Sequence, residues 1–217
     1  MRHDAFGLRW EVRNDTDKAI IQEVFAQKVY GDTIREGERV IDIGAQIGSF
    51  SIFAAGKGAK VLAYEPEPEN YATLLENISL NESRYPISAF NEAVWKGKGE
   101  ITLYSSCSEN LGAHSVVFAR DPEASVKVRA TTLDEIFEKN GIEFCDFLKI
   151  DCEGSEFEIL KSTKHLGDIG EIAMEVHGFA TNEKDYLEFR AMLAEHFDLR
   201  GGEWHPVINY LHGTKKK

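Results

Sequence analysis

Residues 40–50, VIDIGAQIGSF, constrain the fold more than any other part of the sequence. An apolar strand runs directly into a turn that holds Gly44 and Gly48, and a helical pattern begins at once. Glycine lets the chain turn sharply and lets bare backbone approach a ligand, while the first N–H groups of a helix lack an intrahelical partner. The segment therefore predicts a ligand site at this turn of an α/β fold, with a purely structural turn as the alternative.

Short apolar runs alternate with amphipathic helical segments along most of the chain. The predicted strands are 6–12, 39–43, 60–64, 87–90, 99–104, 126–130, 144–150, 169–176, 197–200 and 207–211. This alternation predicts a mostly parallel sheet with helices on both faces, whose ligands bind beyond the carboxyl ends of the strands. A long polar loop, 105–125, is typical of an active-site lid or of a disordered segment, and we favour the lid.

We interpret the 217 residues as one domain. Residues 1–38 are predicted to form an N-terminal strand and a helix that Asp15 or Thr16 caps. Residues 39–212 form the Rossmann-like core, and 213–217 form a frayed tail.

Charge and cysteine usage narrow the function and the compartment. The formal net charge of −12 disfavours binding to nucleic acid or to anionic membranes. No apolar run approaches the roughly 20 residues of a membrane span, and residues 1–15 lack the apolar region of a signal peptide. The three cysteines form no CxxC pair, which favours a reducing compartment, so we expect a cytoplasmic protein.

The glycine turn lacks the dinucleotide fingerprint GxGxxG, because Gln46 stands where the second glycine is needed. A bulky residue there would crowd a pyrophosphate. Instead, Asp42 precedes the first glycine by two positions, where it could bond a cationic amine directly or through water. The amino-acid part of S-adenosylmethionine carries such an amine together with a carboxylate that suits the helix start.

Glu65 ends the second strand of the core, about 20 residues beyond the turn, where Rossmann-like sites place a ribose-binding carboxylate. Nicotinamide dinucleotides share this feature, and a solvated strand-end acid is the alternative. After the third strand, Asn91 or Glu92 could contact the edge of an adenine, and Ala93 and Val94 its face.

The chain contains, in order, the segments VIDIGAQIGSFSI, YEPEPENYATLLENISLN, FNEAVWKGKGEITLY, SENLGAHSV, VRATTLDEI, FLKIDCEGSEFEIL and EIAMEVHG. Together they span about residues 40–178 and resemble the FkbM family of S-adenosylmethionine-dependent methyltransferases. LKIDCEGSEFEIL combined with TTLDEI is the most family-specific part.

This resemblance implies a class I methyltransferase fold of seven strands with the last strand antiparallel, and O-methylation of sugar or natural-product hydroxyls. It implies that Asp42, Gly44 and Gly48 hold the methionine part of the cofactor, Glu65 the ribose, and that Glu92 lies near the adenine. The predicted cofactor site further includes Gln46, Ser49, Pro66, Asn91, Ala93 and Asp151. Gln46 departs from the asparagine that the family often has, and both side chains are amides.

Strand alternation points to the catalytic candidates. Asp151 and Glu153 share a side at the end of one predicted strand, and Glu175 and His177 share a side at the end of the next. His177 is the predicted general base because its ordinary pKa lies near neutrality, with Asp151 or Glu153 as the runner-up.

Two other interpretations of this cluster stay open. Asp151, Glu153, Glu175 and His177 could bind a divalent cation, which the sequence permits but does not require. They could also form a structural ion-paired cluster with Lys149.

In the following helix, we predict Ser155 as N-cap with Glu158 in the capping-box position. Glu156 is expected to be a solvated acid of the first turn.

The favoured hypothesis is methyl transfer to a hydroxyl of a small molecule or glycan. A nicotinamide-dependent oxidoreductase and a non-catalytic nucleoside-binding module of the same fold are the alternatives.

Overall fold

The computed structural model describes residues 1–81, 86–105, 114–115, 125–177, 182–205 and 207–217, with the backbone alone at 105, 114 and 115. The predicted lid loop therefore lies mostly outside the described residues. The strands are β1 Arg2–Ala5, β2 Leu8–Glu11, β3 Arg39–Ile43, β4 Lys60–Tyr64, β5 Ile87–Phe90, β6 Ala93–Val94, β7 Gly99–Ser105, β8 His114–Ser115, β9 Ser125–Thr131, β10 Cys145–Ile150, β11 Ile169–His177, β12 Phe197–Gly201 and β13 Ile208–Lys215. The helices are α1 Asp15–Gln22, α2 Ser49–Gly56, α3 Pro68–Leu80, α4 Leu133–Lys139, α5 Glu156–Ser162 and α6 Glu183–Ala194.

Seven strands form the central sheet in the order β12-β13-β11-β10-β3-β4-β5. Strands β5, β4, β3, β10 and β11 run parallel, whereas β13, the last strand of the chain, lies antiparallel between β11 and β12. The predicted class I, Rossmann-like fold is confirmed. Strand order reverses between β3 and β10, so a ligand crevice is expected at their carboxyl ends.

Apolar side chains cover both faces of the central strands. Phe147 of β10 packs with Phe50 of α2 on one face. On the other face, Leu148 belongs to the same apolar cluster as Phe189 of α6. Burial on both faces explains why these strands are nearly continuous apolar runs in the sequence, and it fixes the positions of the strand ends.

The N-terminal segment differs from the predicted single strand 6–12. Strands β1 and β2 form a hairpin, and Phe6 and Gly7 at its turn have φ angles of 55° and 74°. Two positive φ angles suit a two-residue hairpin turn. Helix α1 is capped by Asn14, whose side chain accepts a hydrogen bond from the Asp17 N–H, and not by Asp15 or Thr16. A π-helical turn, Glu23–Gln27, follows α1.

Strands β6, β9, β7 and β8 form a separate four-stranded sheet, in which the predicted strands around Ile101 and Val128 pair antiparallel. At the C-terminus, β13 extends to Lys215, so residues 213–215 belong to the sheet and the predicted tail is shorter than expected. Gly213 pairs with both β11 and β12 there. Among the described residues, no helix combines the length and apolar character that a membrane crossing requires.

Candidate active site

A cavity of about 400 Å³ opens where the parallel strands end, a size within the roughly 300–1,000 Å³ of small-molecule sites. In sheet order, its wall passes from Ala93 after β5, through Glu65 after β4 and Asp151 after β10, to His177 in β11. We call the part at the ends of β3, β4 and β5 the glycine end. The part formed by Asp151, Glu153, Glu175 and His177 is the acidic end.

The two glycines of the turn are required for different reasons. Gly44 has a φ of +76°, and a Cβ there would lie 1.7 Å from the Asp151 carbonyl oxygen. Gly48 has a φ of +90°, and its Cβ would lie 2.5 Å from Leu74 Cδ1 of α3. Gly44 thus lets the turn meet β10 at the cavity wall, whereas Gly48 serves helix packing and does not line the cavity.

Two buried polar atoms at the glycine end lack a hydrogen-bond partner among the described residues. They are the Ser49 Oγ and the Gln46 Oε1, and both side chains line the cavity. Gln46 also has a φ of 51°, which is uncommon for a residue with a side chain. A buried polar atom without a partner costs free energy, so a polar ligand that bonds these two atoms would fit the site.

Asp42 does not lie in the cavity, contrary to the predicted contact with the amine of a ligand. It is fully buried, accepts a 2.6 Å hydrogen bond from Ser51 Oγ, and lies 3.2 Å from Lys149 Nζ. Lys149 Nζ also donates a 2.6 Å hydrogen bond to the Gly44 carbonyl. A buried charged group needs a partner, and Asp42 finds it in Lys149 of the neighbouring strand β10. Through Lys149, Asp42 supports the turn at Gly44 from inside the sheet.

Glu65 lies in the wall of the glycine end and is 4% exposed. One carboxylate oxygen accepts a hydrogen bond from the Gln46 N–H at 2.8 Å, and the other accepts from the Glu67 N–H at 2.9 Å. Burial raises the pKa of Glu65 to about 7, although these hydrogen bonds and one from Asn70 oppose the rise. Glu65 thus links the turn after β3 to the loop after β4.

The residues predicted around an adenine divide into two groups. Pro66, Ala93 and Val94 line the cavity, as does Leu103 of β7. Asn91 instead donates 2.9 Å hydrogen bonds to the carbonyls of Glu65 and Pro66, and so it fixes the loop. Glu92 is outside the lining, and its carboxylate lies 3.4 Å from the guanidinium of Arg129.

The acidic end brings together the four residues that alternation placed on two strands. His177 Nε2 lies 3.4 Å from Glu153 Oε2 and 3.5 Å from Glu175 Oε1. It lies 4.0 Å from Asp151 Oδ1. Glu153 has a φ of 53°, and such backbone strain is often found at functional sites.

Glu156 was expected to be solvated, but it is fully buried beside His177. Its Oε1 lies 3.1 Å from His177 Nδ1 and accepts hydrogen bonds from the N–H groups of Cys152 and Gly154. The predicted capping box is wrong: the Ser155 side chain makes no capping bond, and Glu158 forms a surface ion pair with Lys96. The helix turns Glu156, not Glu158, toward β11.

The electrostatics of this cluster bear on the identity of the base. Burial disfavours the charged imidazole, but hydrogen bonds to Glu156 and Glu175 outweigh it and raise the pKa of His177 to about 12. A raised pKa favours the protonated form of the imidazole, which disfavours His177 as the general base. Burial also raises the pKa of Glu153 to about 7. The runner-up carboxylates, Asp151 and Glu153, remain the candidates for that role.

The sequence does not signal several residues that the structure places at the cavity. The Tyr30 hydroxyl donates a 2.8 Å hydrogen bond to Asp151 Oδ2. Thr16, Ile20 and Glu23 line the cavity from α1 and the π-helical turn. No motif in the N-terminal segment signals these contacts, since they depend on how that segment packs over the sheet.

Comparison with known proteins identifies the family of this chain. A family model described as the methyltransferase FkbM domain matches residues 42–200. This chain belongs to the FkbM methyltransferase family. It is therefore an S-adenosylmethionine-dependent methyltransferase, and the oxidoreductase and non-catalytic alternatives are set aside.

Relatives of this FkbM-family enzyme include the hexuronic acid methyltransferase AglP of Haloferax volcanii. It is 28% identical over 145 residues, which cover 65% of this chain and 57% of AglP. The 31-O-demethyl-FK506 methyltransferase FkbM of Streptomyces tacrolimicus is 25% identical over 191 residues, covering 73% of this chain and 74% of the relative. Precorrin-6y C5,15-methyltransferase of Geobacter metallireducens shares the fold, with a TM-score of 0.54, 13% identity and coverage of 99% and 94%.

Proposed function

We propose that this enzyme transfers the methyl group of S-adenosylmethionine to a hydroxyl oxygen of a sugar or another small molecule. The observation that carries the proposal is that one cavity has two chemically different ends, which would let a donor and an acceptor meet inside it. The relatives support a hydroxylated acceptor, since AglP is a hexuronic acid methyltransferase and FkbM is a 31-O-demethyl-FK506 methyltransferase.

The glycine end suits the donor. The backbone at Gly44 with the side chains of Gln46 and Ser49 would hold its methionine part, and Glu65 would accept hydrogen bonds from its ribose diol. Pro66, Ala93 and Val94 would contact the adenine. In this proposal Asp42, Gly48, Asn91 and Glu92 shape or flank the site without touching the cofactor.

The acidic end suits the acceptor. As the acceptor oxygen bonds to the methyl carbon, the bond from that carbon to sulfur breaks, and the hydroxyl proton passes to a carboxylate. Asp151 or Glu153 would accept this proton, because both line the cavity beside His177. The cavity would align the two reactants, which is the main task in an in-line displacement.

Charge narrows the class of acceptor. Asp151, Glu153 and Glu175 line the same end of the cavity, with Glu23 beside them. Negatively charged side chains that line a cleft disfavour the binding of an anion. We therefore propose a neutral or cationic hydroxylated acceptor, in contrast to the hexuronic acid in the name of AglP. Nucleic acid is disfavoured for the same reason.

A turnover assay tests this function. The purified enzyme is incubated with S-adenosylmethionine and one acceptor from a panel of neutral glycosides, hexuronic acids and hydroxyl-free amines. Mass spectrometry then detects S-adenosylhomocysteine and the methylated acceptor. We expect O-methylation of a neutral polyol. Methylation confined to the amines would contradict the proposal, and turnover with hexuronic acids alone would reject the acceptor class.

A further inference from the structure

Three side chains at the acidic end have the arrangement of metal ligands. Asp151 follows β10, and Glu175 and His177 lie two residues apart in the neighbouring strand β11. One carboxylate oxygen from each acid and one imidazole nitrogen lie within 4.8 Å of one another. Adjacent parallel strands bring these atoms together at their carboxyl ends, and the strands are rigid supports.

The orientation of His177 is that of a metal-binding imidazole. Its Nδ1 faces Glu156 Oε1 at 3.1 Å, and Glu156 is itself fixed by two backbone N–H groups. The other nitrogen, Nε2, faces Glu175 and Asp151 at 3.5 and 4.0 Å. Histidine ligands characteristically donate one ring N–H to a carboxylate while the other nitrogen binds the metal, so the cation would displace the proton of Nε2. Donor atoms about 2.1 Å from a tetrahedral cation lie roughly 3.4 Å apart, which matches the shorter of these separations.

Charge balance also calls for a cation. Four carboxylates, those of Asp151, Glu153, Glu156 and Glu175, converge on His177. Lys149 Nζ lies 3.8 Å from Asp151, but it is also paired with Asp42. His177 is 2% exposed and Glu156 is fully buried, and buried charges are normally paired or bound to metal.

A further buried polar atom lies at the start of α5, next to Glu156 in the chain. Ser155 is 1% exposed and lines the cavity, and its Oγ has no hydrogen-bond partner within the described part of the chain. Because a buried hydroxyl is normally hydrogen-bonded, this atom fits a site that receives a polar ligand, such as a metal-bound water.

We propose that Asp151, Glu175 and His177 bind a divalent first-row transition metal cation at the acidic end. One nitrogen and two oxygen donors suit such a cation better than Mg²⁺, which favours oxygen alone. Coordination positions facing the cavity would bind the acceptor oxygen and acidify its hydroxyl, and Glu153, which is not one of the three ligands, would accept the proton. This catalytic use rests on the proposed O-methylation, whereas the binding of the cation does not.

Binding of Mn²⁺ to the chelator-treated, dialysed enzyme tests the site directly. Titration calorimetry is expected to give one Mn²⁺ per chain, with Mg²⁺ binding more weakly. Glu175→Gln is expected to weaken Mn²⁺ binding at least tenfold, since even outer partners contribute about 10–100-fold. Glu171→Gln, at the other end of β11, is the matched control and should bind Mn²⁺ like the wild type.

Anomalous diffraction from wild-type crystals grown with Mn²⁺ places the ion without any variant. A peak bounded by Asp151, Glu175 and His177 supports the site. No saturable binding, a peak elsewhere, or equal affinity in Glu175→Gln and Glu171→Gln overturns it. Binding of S-adenosylhomocysteine to the same samples separates the two proposals: cofactor binding without Mn²⁺ binding rejects the metal site and leaves the proposed methyl transfer intact.

Discussion

The two ends of the cavity are formed by different kinds of residues. At the glycine end, backbone turns and small or apolar residues form the wall, and its polar contacts come from residues close to the turns, such as Gln46 and Glu65. At the acidic end, charged side chains from β10, β11 and α5 meet through long-range contacts, as in Asp151, His177 and Glu156. Substitutions at the glycine end should therefore change cofactor binding, and those at the acidic end should change turnover.

The largest expected effect tests the backbone of the glycine end. Gly44→Ala places a Cβ 1.7 Å from the Asp151 carbonyl at a positive φ, so the free energy of unfolding should fall by about 4 kcal/mol or more. Gly56→Ala is the control, because its Cβ meets open space at the end of α2. It should be neutral or stabilising by up to about 1 kcal/mol. Denaturant unfolding measures both variants, and similar losses would reject the close-approach argument.

The next effect tests the acidic end. Asp151→Asn removes one of the two carboxylates proposed to accept the hydroxyl proton, so kcat should fall by about 10²–10⁴-fold. Affinity for S-adenosylhomocysteine should change little, because Asn keeps the shape of the side chain. Glu158→Gln is the control, since Glu158 forms only a surface ion pair with Lys96. Loss of cofactor affinity with unchanged kcat would reverse the assignment of the two ends.

The pH dependence of stability tests the burial of Glu65. Burial raises the pKa of Glu65 from 4.5 to about 7, so the ligand-free folded protein holds this proton more tightly than the unfolded chain. This tighter proton binding adds to the free energy of unfolding. The added stability is complete below pH 4.5 and is lost as the pH rises to 7, a decrease of at most roughly 3 kcal/mol. Stability measured at pH 5 and pH 8 should fall less in Glu65→Gln than in the wild type. Equal decreases would show that Glu65 is not held in a buried site.

A smaller effect tests the role of Glu65 in cofactor binding. Glu65→Gln removes the charge that would accept hydrogen bonds from a ribose, a loss of about 1.5–3 kcal/mol. The dissociation constant of S-adenosylhomocysteine should rise about 10–100-fold, with kcat at saturating donor nearly unchanged. Glu69→Gln, exposed on α3, is the control. Unchanged affinity in Glu65→Gln would separate this residue from the donor.

The sequence predicted the glycine end well because its signals are local. Strands β3, β4 and β5 have the predicted bounds, since buried apolar runs end in recognisable turns. Gly44 and Glu65 line the cavity as expected, because they directly follow those strands. Asp42 was predicted to face the ligand, but its partner, Lys149, comes from a strand more than a hundred residues away.

The sequence predicts most residues of the acidic end, but not which side chains contact one another there. Alternation predicts that Asp151, Glu175 and His177 meet at the ends of two strands, and in the structure they do meet, at the ends of the neighbouring strands β10 and β11. The exact start of α5 decides which of its acids points toward the sheet. The sequence does not fix that start, and it therefore predicts Glu156 as a surface residue. Tyr30 reaches Asp151 only because the N-terminal segment packs across the strand ends.

The central claim is that one cavity binds the donor at the glycine end and leaves the acidic end to the acceptor. A crystal structure with S-adenosylhomocysteine tests it most directly. We predict that the ribose bonds Glu65, that the adenine lies between Pro66 and Val94, and that the sulfur is directed toward Asp151. A nucleoside bound among Glu175 and His177, or outside the cavity, would contradict it.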